Sequence, residues 1–330
     1  MKSLNSVKKE KNIFFRFLSE NLGILAAFFV IGLIISLLSP VFLTADNMFS
    51  VGRQISTNAT IALGMALVIL LGGIDLSVGA VVALSGTVCV DLVNNGTNVL
   101  VAVLAGIFIG TFVGLVNGII IAKTGMAPFI VTMASMNIVR GIAFIYSGGL
   151  PIRSMDDNKF AKIGTGYLGP IPLPIVYLVI FVIIVAIVLS RSKFGTYIYA
   201  LGGNREAARF SGIPIKKIEI LVYMISGFMS AFAGVVLASR MYSGQPSVAS
   251  GAEMDAIAAC VLGGVSMTGG VGKIGGVVIG SLIIGIISNG LNLVGINSFW
   301  QLVVKGIIVV CAVYFDIIKR KRINKGKTER

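Results

Sequence analysis

The chain has 330 residues, 56% hydrophobic and only 12% charged, and a mean hydropathy of +0.97. It therefore reads as an integral membrane protein, since soluble domains carry about 25% charged residues. Its net charge of +14 is not a nucleic-acid-binding face, because nearly all of it sits in three blocks, 1–20, 190–219 and 316–330, that flank apolar runs. The absence of histidine excludes imidazole metal sites, proton relays and acid–base catalysis.

The basic block 1–20 precedes an uncharged run, 22–42, that ends in Ser39-Pro40 without a small-x-small cleavage pattern. It reads as a retained anchor rather than a cleaved signal. Apolar runs follow at 55–71 and 77–92, joined by Leu71-Gly-Gly-Ile-Asp-Leu-Ser-Val-Gly79. A carboxylate at that depth must be hydrated, paired or capping a helix. Asp75 is thus either the N-cap of a helix starting near Leu76 or a residue of a substrate path or gate.

Runs 99–122 and 128–147 contain the amides Asn117 and Asn137. With Asn289 further on, they suit a hydroxyl-rich uncharged ligand, although interhelical hydrogen bonding uses the same side chains. Arg140 either snorkels or pairs. The loop 148–169 carries Arg153, Lys159 and Lys162 nearly offset by Asp156 and Asp157, which suits an external face.

After the run 170–190 comes the most informative stretch, Leu201-Gly-Gly-Asn-Arg-Glu-Ala-Ala-Arg-Phe-Ser-Gly212. Glu206, Ala207, Ala208 and Arg209 favour helix, Asn204 suits its N-cap, and Gly212 followed by Pro214 ends it. A capped polar helix of about two turns, set in a basic loop, reads as a docking surface for a soluble partner.

The run 218–239 leads to 253–266, which Glu253 and Asp255 open from its external side. Two apart on a helix, they do not share a face and are either caps or parts of an external gate. Thr268-Gly-Gly-Val-Gly-Lys-Ile274 is not a phosphate-cradling loop. Met267 stands where the first glycine belongs, and Ile274 where a Ser or Thr is needed. Runs 274–290 and 299–317 complete ten candidates, the last with Trp300 and Lys305.

The expected architecture is all-α, a single polytopic permease domain over 1–330 with about ten transmembrane helices. The runs 77–92 and 253–266 are short and glycine-bordered, so some helices are tilted, broken or re-entrant. Six runs precede the basic loop 190–217 and four follow it, so both termini and that loop fall in the cytoplasm. Leu71-Gly-Gly-Ile74 echoes Leu262-Gly-Gly-Val265, but a second echo between Gly110–Gly118 and Gly280–Gly290 differs in spacing and expected direction. A duplication stays unproven.

Four blocks carry a family resemblance: Leu71–Gly79, Pro128-Phe-Ile-Val-Thr-Met-Ala-Ser135, Tyr199–Gly212, and Met254-Asp-Ala-Ile-Ala-Ala-Cys-Val-Leu-Gly-Gly-Val265. In this order they resemble the permease subunit of bacterial ATP-binding-cassette importers of the ribose, xylose and arabinose class. Glu206-Ala-Ala-Arg-Phe-Ser-Gly212 is similar to the importer docking motif. Beyond Gly212 the pattern departs, with Ile213-Pro-Ile-Lys-Lys-Ile218 replacing an Ile-x-Leu-Pro tail.

The resemblance implies a multi-pass subunit of the bacterial plasma membrane, in contact with lipid, that moves a monosaccharide inward by alternating access. It implies a homodimer, a cytoplasmic ATPase that holds ATP and Mg, and an external or periplasmic sugar-binding protein; no nucleic acid and no cofactor on this chain are expected. Docking is expected at Asn204, Arg205, Glu206, Ala207, Ala208, Arg209, Phe210 and Gly212, with Arg205, Glu206 and Arg209 making polar contacts and Ala207, Ala208 and Phe210 filling the ATPase groove. The substrate path or gate is expected among Asp75, Asn117, Asn137, Glu253, Asp255 and Asn289. A self-sufficient secondary transporter or facilitator, and a scaffold without transport, are the alternatives.

Overall fold

The computed structural model describes residues 22–155, 159–297, 299–311 and 313–314. The basic blocks 1–20 and 316–330, like Asp156 and Asp157, lie outside the described residues. The elements in chain order are α1 (Leu22–Leu38), α2 (Ala45–Leu70), α3 (Val78–Asn94), α4 (Val99–Thr124), α5 (Pro128–Ser147), β1 (Ile152–Arg153), α6 (Ala161–Thr165), β2 (Tyr167–Leu168), β3 (Ile171–Pro172), α7 (Leu173–Arg191), α8 (Lys193–Gly203), α9 (Arg205–Phe210), α10 (Ile215–Met241), β4 (Ser243–Gly244), α11 (Ala252–Leu262) and α12 (Ile274–Leu293). A final α13 covers Phe299–Cys311.

Each of the ten apolar runs therefore holds a helix, but spanning length is rarer. Among the described residues α2, α4, α5, α7, α10 and α12 are long and apolar enough to cross a membrane. Helices α1, α3 and α13 are shorter, and α11 has 11 residues, about 16 Å or half a bilayer core.

Helix α2 starts ten residues before the apolar run that announced it. Its first turns are polar yet held: Asn47 and Asn289 exchange amide hydrogen bonds at 3.1 and 2.9 Å, and Arg53 bonds the Tyr167 hydroxyl while lying 5.0 Å from its ring centre. From Ala59 to Leu70 every residue of α2 is buried, enclosed by α7, α10, α11 and α12.

Helices α4 and α10 cross at close range along a glycine stripe. Gly106, Gly110, Gly114 and Gly118 recur every four residues on α4 and all are buried. A methyl group on Gly110 would lie 2.5 Å from the Ala231 Cβ and 2.6 Å from the Gly227 carbonyl oxygen, and one on Gly118 would lie 2.7 Å from the Ile220 Cα. The two backbones pack with no side chains between them, which is how helices associate where lipid offers no hydrophobic drive.

The stretch between α10 and α11 is the main departure from helix. Tyr242, Ala249 and Gly251 all take positive φ, and Gly244 packs on Thr87 of α3 while Ala249 packs on Gly79. The segment thus runs down along α3 for about 12 Å, at 1.5 Å of helix rise per residue. Backbone of this kind is tolerated at depth because protein surrounds it: β4 pairs antiparallel with β1, and Arg140 donates to the Pro246 and Val248 carbonyls at 2.8 and 2.7 Å. Helix α11 accordingly starts beside the first turn of α3.

Candidate functional site

The loop 190–217 folds into two short helices. In α8, Phe194, Tyr197, Ile198 and Leu201 recur every three or four residues and point into the core, while Ser192 caps its start by accepting from Gly195 N–H at 3.1 Å. In its last turn Gly202 has no room for a side chain. Gly202 packs on the Leu70 carbonyl and Gly270, Gly270 N–H donates to the Leu70 carbonyl at 2.8 Å, and the Tyr199 hydroxyl donates to the Gly272 carbonyl at 2.9 Å. The end of α2, the turn 263–273 and the end of α8 form one junction. The stretch from Thr268 to Ile274 is part of that seat.

Helix α9 follows α8 directly and packs against it. Asn204 Oδ1 accepts from Ala207 N–H at 3.0 Å. At the other end Gly212 takes φ +75°, its N–H donates to the Arg209 carbonyl at 3.0 Å, and Ile213 N–H donates to the Ala208 carbonyl at 3.1 Å. These are the two bonds of a Schellman ending, so six helical residues are closed at both ends.

The side chains of α9 divide by direction. Phe210 is 87% exposed, and Glu206 and Arg209, 3.9 Å apart, are open to solvent. Ala208, in contrast, is buried in the chain's own core and cannot fill a groove on another protein. Arg205, its own side chain 56% exposed, pairs with Glu219 of α10, whose side chain is only 4% exposed.

Above this seat is a buried polar cluster around the N-terminus of α3. Asp75, 1% exposed, caps the Ser77 N–H two residues on, just ahead of α3. Its Oδ1 accepts from the Ser77 N–H at 3.0 Å and the Ser77 hydroxyl at 2.6 Å, and its Oδ2 accepts from the Ser226 hydroxyl of α10 at 2.8 Å. Asn117 of α4 donates to the Ser77 hydroxyl at 3.1 Å. Glu253 joins from α11: a methyl on Gly79 would lie 2.6 Å from its Oε2, and its Oε1 accepts from Gly251 N–H at 3.2 Å. Two acidic residues 178 positions apart in sequence thus both lie beside the first turn of α3, where the helix dipole favours negative charge.

The other expected site residues lie elsewhere. Asp255 pairs with Lys305 of α13 at 2.7 Å, Asn289 is bound to Asn47 as interhelical glue, and Asn137 is exposed in the middle of α5. Sequence reading missed Ser77, Ser226, Glu219 and Tyr223. The last three share one face of α10 at i, i+4 and i+7, a period that marks them once the helix is known to be buried. Among the described residues no three of His, Cys, Asp and Glu stand together as metal ligands.

Comparison with known proteins gives a consistent result. Residues 47–313 match the family described as branched-chain amino acid transport system / permease component. The chain is 43% identical over 317 residues to the ribose import permease protein RbsC of Bacillus subtilis, covering 96% of this chain and 98% of that one. It is 42% identical over 295 residues to RbsC of Escherichia coli K12, covering 88% and 92%, and 42% identical over 302 residues to the L-arabinose transport system permease protein AraH of the same strain, covering 92% of each. No solved structure matches the chain.

Proposed function

The chain belongs to the branched-chain amino acid transport system / permease component family, and from that premise we propose that it carries a monosaccharide of the ribose or arabinose kind inward, as one half of a permease homodimer driven by a separate ATPase. It is the sugar-importing membrane subunit of an ABC transporter in the cell membrane, not an enzyme and not a self-sufficient facilitator. The observation that carries the coupling part of the proposal is α9: a short helix closed at both ends, packed against α8 and tied to α10 through Arg205, and presenting Glu206, Arg209 and Phe210 outward.

ATP and Mg belong to the cytoplasmic ATPase, whose closure pushes on α9 and reorients the spanning helices. Docking uses Glu206, Ala207, Arg209 and Phe210; Asn204, Ala208 and Gly212 hold the helix in shape, and Arg205 faces its own chain. An open cleft of about 660 Å³ beside α9, lined by Arg209, Ile213, Lys216 and Lys217 among others, gives the partner a cationic shoulder to grip.

For the second copy, the support is α5. Its outward face carries Phe129, Ile130, Met133 and Ile138, all exposed, with Asn137 among them. An amide amid apolar side chains is poorly placed against lipid and well placed on a protein seam or a wet path. We place the homodimer seam and the sugar path along this face, with Asp75, Asn117 and Glu253 shaping the helix that lies behind it, and lipid against the remaining apolar surface.

The test is reconstitution in proteoliposomes with the ATPase and the external binding protein, following labelled ribose and arabinose. ATP-dependent uptake that needs both partners is the expected result. Uptake by the chain alone, or none with both partners and ATP present, overturns the proposal.

A further inference from the structure

Glu219 and Tyr223 are buried, polar and incompletely partnered, and they lie between α9 and Asp75. Glu219 is 3% exposed and Tyr223 1% exposed. Arg205 holds Glu219 Oε1 from below, yet Oε2 has no hydrogen-bond partner, and neither does the Tyr223 hydroxyl. That hydroxyl lies against Gly73 in the turn that presents Asp75, within electrostatic range of both Asp75 and Glu219. One turn further along α10, Ser226 already donates to Asp75.

A purely adhesive cluster is poorly served by this arrangement. Buried polar atoms without partners cost stability, and a buried ion pair is often no better than apolar residues of the same size. A single phenol O–H against the turn that presents Asp75, one helical turn from Glu219 and bonded to neither, is instead a donor with two possible acceptors. Resting on the reading that α9 docks the ATPase, we propose that Arg205, Glu219 and Tyr223 are positioning residues that transmit movement of α9 to the Leu71–Ser77 turn. While Arg205 holds Glu219, the Tyr223 hydroxyl is free to turn to Asp75. When α9 is displaced and Arg205 withdraws, the unpaired Glu219 carboxylate recruits that hydroxyl, and the Asp75 turn, together with the start of α3, is released from α10.

The experiment measures sugar moved per ATP hydrolysed by the complete importer in proteoliposomes, for Tyr223→Phe, Arg205→Met and Arg205→Lys, alongside ATPase co-purification with each variant. Removing an unpartnered buried hydroxyl is neutral or stabilising if its role is structural, so that role leaves the transport ratio of Tyr223→Phe at the wild-type value. The expected result is an ATPase rate near wild type in Tyr223→Phe with sugar per ATP lowered about tenfold, in the range of ordinary coupling factors. Arg205→Met gives the same loss in ratio, and Arg205→Lys restores most of it. A wild-type ratio in both Tyr223→Phe and Arg205→Met overturns the proposal. Failure of the unmodified chain to bind the ATPase overturns the docking reading instead, so the two failures are distinguishable.

Discussion

Lys305 of α13 donates to the Asp255 carboxylate at the head of α11 over 2.7 Å, with the two side chains 25% and 11% exposed. This pair ties the last described helix to the break in the eighth apolar run. Breaking a buried pair by removing one partner costs about 3–5 kcal/mol, less here because the lysine is partly open. Lys305→Met is expected to lower the melting temperature of the detergent-solubilised protein, and Lys305→Met with Asp255→Asn to recover part of it. A double variant no more stable than the single one counts against the pair.

The α4–α10 crossing tolerates no added methyl. Gly110→Ala is expected to cost about 1–3 kcal/mol by overpacking, read as a loss of monodisperse protein by size-exclusion chromatography. Gly32→Ala on α1, where a Cβ meets nothing within 4 Å, is the control and should match wild type.

Arg140 anchors the extended segment through the Pro246 and Val248 carbonyls. Arg140→Ala leaves two carbonyls without their donor at depth, which costs about 1–3 kcal/mol for each unsatisfied group. In a background lacking the three native cysteines, Val248→Cys should react faster with a membrane-impermeant maleimide once Arg140→Ala is added. An unchanged labelling rate would show that the anchor does not restrain the segment.

Docking predictions separate surface from scaffold on α9. Phe210→Ala removes the most exposed aromatic of the helix and should weaken ATPase binding about 30-fold, the scale of an interface hot spot of about 2 kcal/mol. Asn204→Ala deletes the cap and should cost about 1 kcal/mol of local stability, seen as faster amide exchange over 205–212, with a smaller loss of binding.

If α5 forms the seam between copies, Asn137→Cys in the same cysteine-free background should yield a cross-linked dimer on mild oxidation. Exposed Ile183→Cys on α7, tested in parallel, should not.

Much of this was legible in the chain. The capped helix at 204–212 could be read to the residue because its signals are local: an amide at the N-cap, a glycine at C′, a proline beyond. The ten apolar runs were visible for the same reason. Their lengths were less so, because Asn47, Arg53, Lys216 and Lys217 extend helices with side chains that hydropathy counts as loop. Helix α8 had a period of three to four in Phe194, Tyr197, Ile198 and Leu201, obscured by the glycines that let it end against Leu70. The meeting of Asp75 with Ser226 and of Gly79 with Glu253 was not legible, because nothing in a single sequence says which distant segments share a helix N-terminus. The Gly106–Gly118 stripe was overlooked although its spacing of four is plain.

The glycine-lined contact between α4 and α10 also limits how the molecule can deform. Carbonyl ridges of one helix sit in the hollows left by the missing side chains of the other, so sliding either helix along its axis would lift it over the next ridge and separate both backbones at once. The pair therefore behaves as one stiff strut that rotates as a unit. Any inward-to-outward exchange must bend the chain at the ends of this pair, in the 211–214 turn on one side and in the 242–251 stretch on the other.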